Sequence, residues 1–85
     1  MKHFASKNYW DCYHKLPDKI RQSADRCFLL LKKDPHHRSL HFKKIKKIWS
    51  VRINIAYRSL GVSTPEKDGI VWFWIGNHDQ YDKLI

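Results

Sequence analysis

The chain closes with Gly69-Ile-Val-Trp-Phe-Trp-Ile-Gly-Asn-His-Asp-Gln-Tyr-Asp-Lys-Leu-Ile85, and this stretch decides the fold. Its six consecutive apolar residues, 70–75, predict a strand that is buried in the core. The polar residues that follow must then emerge at the rim of that core. His78, Asp79 and Tyr81 are therefore a candidate functional site, since a histidine, a carboxylate and a phenol lie close together there.

The length and the net charge of the chain indicate how many domains it has and which kinds of partner it attracts. The 85 residues predict a single domain, 1–85, with a core just large enough to be stable without cross-links. Seventeen Lys and Arg against eight Asp and Glu give a net charge of +9. Such a charge attracts phosphate backbones, anionic membrane surfaces or acidic proteins, and by itself it does not choose among them.

Several functional classes are excluded by what the sequence lacks. No segment approaches the roughly 20 apolar residues that span a bilayer, and no signal peptide is evident, so we expect a cytoplasmic protein without membrane association. Cys12 and Cys27 are expected to be reduced in that compartment. The histidines lack zinc-ligand spacing and no cofactor motif is present, so neither a metal nor a cofactor is expected.

Two helices are predicted in the first half of the chain. Ser6 can cap a short helix that ends before Pro17, because the residue before a proline avoids helical geometry. Pro17 then begins a second helix, which runs to a stop at Pro35. Apolar residues recur at helical spacing in this second helix and predict a face buried in the core: Ile20, Ala24, Cys27, Phe28 and Leu31.

β-branched and aromatic residues dominate the second half and predict strands. Residues 40–45 form a short strand-like run, and the alternation over 49–60 fits either one continuous strand or a hairpin that turns at 54–56. In a continuous strand Arg52 and Arg58 lie roughly 20 Å apart. In a hairpin they lie opposite each other, with Cβ atoms about 5 Å apart.

The order of these elements indicates an α+β fold. We expect an N-terminal helical hairpin packed on one face of a small twisted antiparallel sheet of three or four strands. Residues 2–4 are a candidate for a further strand, and residues 61–67 are predicted to be a turn. The sheet face away from the helices stays open, and Lys and Arg on it are a candidate surface for nucleic acid.

Together these features resemble the RelE/ParE superfamily, the small basic toxins of bacterial type II toxin-antitoxin systems. The resemblance covers nearly the whole chain, including the helical hairpin, the lysines of 40–45, the stretch 49–60, and Ile75-Gly-Asn-His78 with Tyr81 beyond it. In that family a Tyr-Arg pair opens a central strand after a tight hairpin, so the resemblance favours the turn at 54–56. Many relatives have His-Arg at the end of the last strand, whereas this chain has His78-Asp79.

The resemblance implies a groove in which mRNA is cleaved without a metal ion. Cleavage requires that the 2′-hydroxyl lose a proton, that the phosphorane be stabilised and that the leaving 5′-oxygen gain a proton. His78 can transfer protons, and Asp79 can orient it or act as a base. Arg52 and Arg58 match phosphate oxygens, and Tyr81 can stack on a base or donate a proton.

A second set of residues is predicted to bind nucleic acid. Trp72 and Trp74 lie on the same side as His78, because side chains alternate with a period of two along a strand, and there they could stack on bases. The alternative for both is packing against the helices. The lysines could attract phosphates or simply form a solvated surface: Lys43, Lys44, Lys46 and Lys47.

Three functions remain open from the sequence. The first is a toxin that cleaves mRNA, in solution or on the ribosome. The second is a ParE-like inhibitor of DNA gyrase, which needs no catalytic residues, and the third is a non-toxic basic protein that acts only in an antitoxin complex. In each case we expect a cognate acidic antitoxin in a hetero-oligomer, since its carboxylates would match the +9 charge.

Overall fold

The computed structural model describes residues 1–79, which fold as two helices on one face of a five-stranded sheet. The strands are β1 (Lys2–Ala5), β2 (Lys43–Ile45), β3 (Ile48–Arg52), β4 (Tyr57–Thr64) and β5 (Gly69–Asn77). The helices are α1 (Lys7–His14) and α2 (Asp18–Lys33), and single 3-10 turns lie at Arg38–Leu40 and Pro65–Lys67. The predicted α+β fold with an N-terminal helical hairpin is confirmed.

The sheet has the strand order β1-β5-β4-β3-β2 and is mixed rather than purely antiparallel. β2, β3, β4 and β5 pair antiparallel with their neighbours, whereas β1 pairs parallel with β5. The sheet therefore has one strand more than the three or four predicted, and this strand is the candidate at residues 2–4, which the structure confirms as β1. Its parallel pairing with a distant strand was not predicted, because such pairing leaves no local signal.

Element boundaries differ from the prediction in two places. The Ser6 hydroxyl accepts a hydrogen bond from the backbone N–H of Tyr9 at 3.2 Å and caps α1 as expected, but Pro17 is the cap of α2 rather than its first residue. The predicted turn at 61–67 is shorter, because β4 continues through Gly61 to Thr64. That extension is paired along its whole length with β5, so the pairing outweighs the low strand propensity of its glycine and serine.

The core lies between the helices and the sheet and is centred on Trp72. The Trp72 side chain is 2% exposed, and its ring lies 5.3 Å from that of Phe28 on α2. Its indole N–H donates to Nδ1 of His3 on β1 at 3.0 Å, a bond that needs a neutral imidazole. Burial, and then the positive charge of Lys32, lowers the pKa of His3 and so favours that state.

A β-bulge decides which tryptophan belongs to the core. Leu60 on β4 pairs with Trp74, whereas the next residue, Gly61, pairs with Trp72, so Phe73 is the extra residue on β5. Consecutive residues of a strand face opposite sides of the sheet. Trp72 and Trp74 therefore face opposite sides, and the prediction that both lie on the side of His78 is wrong.

Substitution of Gly61 tests this close packing. A Cβ atom at Gly61 would lie 2.6 Å from Cγ2 of Ile70 and 2.9 Å from Cε3 of Trp72, distances that force the core to shift. We expect Gly61→Ala to lower the free energy of unfolding by about 1–3 kcal/mol, as overpacking does. Denaturant unfolding of the variant and the wild type measures this loss of stability. Val62→Ala, one residue along and 40% exposed, is the control, and equal stability of the two variants would contradict the packing described here.

Candidate functional site

The site is built on the tight hairpin that joins β3 to β4. The backbone N–H of Ile53 donates to the carbonyl of Tyr57 at 3.0 Å. Inside the turn, Oδ1 of Asn54 accepts from the backbone N–H of Ala56 at 2.8 Å and of Tyr57 at 3.0 Å. An asparagine side chain that closes a turn in this way mimics the backbone of a tighter turn. The hairpin alternative at 54–56 is thus confirmed and the continuous strand is excluded.

The hairpin places two arginines side by side. Arg52 on β3 pairs directly with Arg58 on β4, so their Cβ atoms are about 5 Å apart on one face. That face is the one away from the helices, because the adjacent pair, Val51 and Ser59, is buried on the helix side. Like charges directly opposite each other destabilise a sheet. An anion between the two guanidinium groups would relieve that repulsion.

His41 joins this pair and was missed in the sequence. Nε2 of His41 lies 3.3 Å from Nη1 of Arg52. Because a guanidinium can only donate, Nε2 is the acceptor in this contact. His41 has a left-handed backbone, with φ 44° and ψ 40°, which is uncommon outside glycine and is often found at functional sites. Its only signal in the sequence was its place inside the strand-like run predicted at 40–45.

The predicted catalytic residues at the chain's end are described in part. His78 follows β5 directly, and its backbone N–H donates to the carbonyl of Ala56 in the hairpin turn at 2.6 Å. It stands two residues beyond Gly76, the partner of Arg58. Asp79 is exposed beside it. Tyr81 lies outside the described residues, so its predicted role stays a prediction.

The comparisons with known proteins agree with this architecture. No family model matches the chain, and no curated protein is significantly similar to it in sequence. Among solved structures, the RelB-RelE antitoxin-toxin complex from Methanococcus jannaschii matches with a TM-score of 0.72 and 15% identity, over 96% of this chain and 98% of that chain.

Two further structures give the same result. A YoeB/ParE toxin from Agrobacterium tumefaciens matches with a TM-score of 0.68 and 16% identity, over 92% of this chain and 99% of that one. The toxin-antitoxin complex RelBE2 from Mycobacterium tuberculosis matches with a TM-score of 0.67 and 20% identity, over 91% of this chain and 96% of that one. The chain has the RelE/ParE fold. The superfamily predicted from the sequence is confirmed at the level of the fold.

On this RelE/ParE fold the residues predicted to bind nucleic acid do not all lie on one face of the sheet. Lys43 pairs with Ser50 and shares the face of Arg52, whereas Lys44 pairs with Trp49 on the opposite face and its Nζ lies 5.6 Å from that ring. Lys46 and Lys47 form the turn between β2 and β3, and all four lysines are exposed. Trp74 is half-buried on the sheet face that carries Arg52 and Arg58, here called the arginine face. Trp72 is buried on the helix side, so the prediction that it stacks on bases is wrong.

A buried thiol supports the backbone of Arg52 from the helix side. Sγ of Cys27 on α2 lies 3.5 Å from the carbonyl oxygen of Arg52, to which it donates a hydrogen bond. Burial raises the pKa of the Cys27 thiol to about 12, so the group stays protonated and unreactive at neutral pH. Cys12 and Cys27 are both free thiols. Cys27 is therefore a structural element of the RelE/ParE fold in this chain.

Two other properties bear on function. Residues 1–79 contain no group of three or more histidine, cysteine or carboxylate side chains placed to hold a metal ion. Of the helices in the same range, neither has the length and apolar character that a membrane crossing requires.

Proposed function

We propose that this protein is the toxin of a type II toxin-antitoxin system and that it cleaves mRNA. The observation that carries the proposal is the Arg52–Arg58 pair, two arginines in direct register on neighbouring strands, on the sheet face away from the helices. The likeness to RelE and ParE toxins supports the same role. So does the net charge of +9, which favours approach to a polyanion.

The proposed reaction uses the 2′-hydroxyl of the RNA as nucleophile. The 2′-oxygen attacks the adjacent phosphorus, the bond to the 5′-oxygen breaks, and a 2′,3′-cyclic phosphate is left. The two guanidinium groups bind the non-bridging oxygens and stabilise the added negative charge of the phosphorane. No metal ion is required, because proton transfer and charge stabilisation are both supplied by side chains.

We assign the two proton transfers to His78 and His41. His41 contacts Arg52, and His78 lies two residues beyond Gly76, the partner of Arg58 on the neighbouring strand. Nε2 of His41 can accept a proton from the RNA only after its hydrogen bond with the N–H of Arg52 is broken. Asp79 orients His78, and Tyr81 stacks on a base or donates a proton.

The lysines and the half-buried Trp74 extend the proposed RNA surface. Lys43 on the arginine face contacts the phosphate backbone, and Trp74 on the same face stacks on a base. The remaining lysines supply general attraction to phosphate: Lys44, Lys46 and Lys47. We propose that the protein acts in the cytoplasm, on free or ribosome-bound mRNA, and that a cognate acidic antitoxin holds it inactive in a hetero-oligomer.

Mapping of mRNA ends tests this function. Purified protein is added to a translating extract, and new 5′ ends are mapped with the wild type, His78→Ala and His14→Ala. His14 is the control because it is an exposed histidine on α1, in the helix layer. We expect discrete cuts that disappear only in His78→Ala. An absence of cuts that depend on His78 contradicts ribonuclease activity.

A parallel gyrase assay identifies the alternative. Inhibition of supercoiling with accumulated cleaved DNA would assign the chain to ParE-like gyrase inhibitors instead. Harmless overexpression and inactivity in both assays would leave a protein that acts only in an antitoxin complex.

A further inference from the structure

An aromatic cavity opens on the helix side of the sheet, at the edge formed by β1. It has a volume of about 410 Å³ and lies between β1, α1 and α2. The arginine pair is on the other face of the sheet, on β3 and β4, so the cavity is separate from the proposed RNA site. A cavity of this size is typical of a site for one small molecule. Aromatic side chains form much of its wall: Phe4, Tyr9, Trp10, Phe28 and Trp72.

The aromatic wall is continuous with the core. The rings of Phe28 and Trp72 lie 5.3 Å apart, and the ring of Tyr9 lies 5.9 Å from that of Phe28. At the rim, Trp10 is 45% exposed and Leu29 is 68% exposed. An apolar ligand would remove part of this surface from water. The wall favours a flat aromatic group in particular, because contacts between rings stabilise beyond the area that they bury.

Two opposite charges flank the aromatic wall, and both come from α2. The hydroxyl of Tyr13 donates to Oδ1 and Oδ2 of Asp25 at 3.0 and 3.1 Å. A carboxylate accepts about four hydrogen bonds, so Asp25 can accept from a further donor. Lys32 lies towards β1, where burial and then the positive charge of Lys32 lower the pKa of His3. The cavity therefore has a negative and a positive end.

The spacing of these charges fits a small zwitterion. Asp25 and Lys32 are seven residues apart on α2, so they lie on the same side of the helix and about 10.5 Å apart along its axis. An α-amino acid whose ammonium and carboxylate each make a charged hydrogen bond of about 2.8 Å spans about 9 Å between the two protein groups. A ligand with only one charge would leave Asp25 or Lys32 unmatched.

We infer that this cavity binds a free aromatic amino acid. Its ring packs against Phe28 and the rim residue Trp10, its ammonium group pairs with Asp25, and its carboxylate pairs with Lys32. The hydrogen bond from Tyr13 holds the Asp25 carboxylate in position. This site goes beyond the proposed ribonuclease function and does not depend on it.

An NMR titration of the purified, isotope-labelled protein with L-tryptophan measures the binding. The chemical shift changes should saturate and should be concentrated in β1, α1 and α2 rather than in the β3–β4 hairpin. Three related compounds each lack one feature: tryptamine lacks the carboxylate, indole-3-propionate lacks the ammonium group, and leucine lacks the ring. Each of them should bind at least fivefold more weakly than tryptophan.

Three results of this titration would overturn the inference. The first is the absence of saturable changes with tryptophan, tyrosine and phenylalanine. The second is tryptamine or indole-3-propionate binding as tightly as tryptophan, since one of the two charges would then be unused. The third is guanosine or adenosine binding more tightly than tryptophan, which would make the cavity a nucleoside site.

Matched variants test the two charges separately. Asp25→Asn and Lys32→Gln should each weaken tryptophan binding at least fivefold. Their controls, Asp34→Asn and Lys33→Gln, make the same changes of charge at exposed positions outside the described lining of the cavity, and should change the affinity less than twofold. Asp25→Asn keeps an oxygen that accepts from Tyr13, so the fold should be retained. Equal losses within either pair would show a general effect of charge and contradict the assignment.

Discussion

Replacement of Arg52 by alanine is expected to reduce the rate of mRNA cleavage by about 100- to 1,000-fold, the usual effect of removing one group that stabilises charge in a transition state. Arg52 is opposite Arg58 and within 3.3 Å of His41, so its loss affects both the proposed phosphate site and the proposed proton carrier. Its backbone contact with Cys27 does not involve the guanidinium group and is retained. The rate should therefore fall without loss of the fold.

The stability of the Arg52→Ala variant provides a second measurement, and it should not fall together with the cleavage rate. Arg52→Ala removes one of two like charges that face each other on the sheet, so the free energy of unfolding should stay the same or rise slightly. A merely structural arginine would instead lose stability together with activity. Arg52→Lys should recover only part of the rate, because an ammonium group cannot bind two phosphate oxygens as a planar fork.

The matched control for Arg52 is Arg21→Ala on α2. Arg21 forms an ion pair with Asp18 in the same helix and lies in the helix layer, whereas the arginine pair is on the sheet face away from the helices. Cleavage by Arg21→Ala should equal that of the wild type. Wild-type cleavage by Arg52→Ala would exclude the arginine pair from the chemistry.

Replacement of Trp72 by alanine is expected to lower the free energy of unfolding by about 3–5 kcal/mol. The Trp72 ring packs between Phe28 and Gly61 at the centre of the core and is 2% exposed, and its N–H binds His3. The substitution leaves a cavity and an imidazole nitrogen without its donor. A domain of this size is stable by only about 5–15 kcal/mol, so the variant should be partly unfolded near room temperature or melt far below the wild type.

Thermal and denaturant unfolding of Trp72→Ala and Trp74→Ala measure the difference between the two faces. Trp74 is half-buried on the arginine face, so its removal should cost clearly less stability than that of Trp72. In the mRNA assay the order should reverse once both variants are compared at a temperature where they are folded. Equal destabilisation by the two substitutions would argue against the bulge at Phe73.

Much of the fold could be read from local patterns. The hydroxyl of Ser6 and the ring of Pro17 act on neighbouring backbone, so both helices began within a residue of where they were expected. The apolar stripe of α2 is local as well, and three of its members are buried: Ala24, Cys27 and Leu31. The hairpin was one of two structures that the alternation over 49–60 allowed, and the resemblance to RelE/ParE toxins favoured the correct one.

The features that were predicted wrongly or missed depend on contacts between residues that are distant in sequence. The sides of Trp72 and Trp74 are set by a bulge that arises where β5 packs against β4, and a period of two cannot reveal an extra residue. The candidate strand at residues 2–4 is present as β1, but its parallel pairing was not predicted, because its partner is more than sixty residues away in sequence. His41 was missed because its partner, Arg52, is on another strand.

By itself the sequence determined the two helices, the buried closing strand, the basic charge and the RelE/ParE resemblance, since capping, periodicity and composition act over short stretches of chain. Only the tertiary structure decided which face each side chain of β5 occupies, that Arg52 pairs with Arg58, and that His41 contacts Arg52. Those outcomes are set by strand register and by the packing of α2 on the sheet. Strand register and helix packing both depend on the burial of apolar residues over the whole core rather than on any single segment.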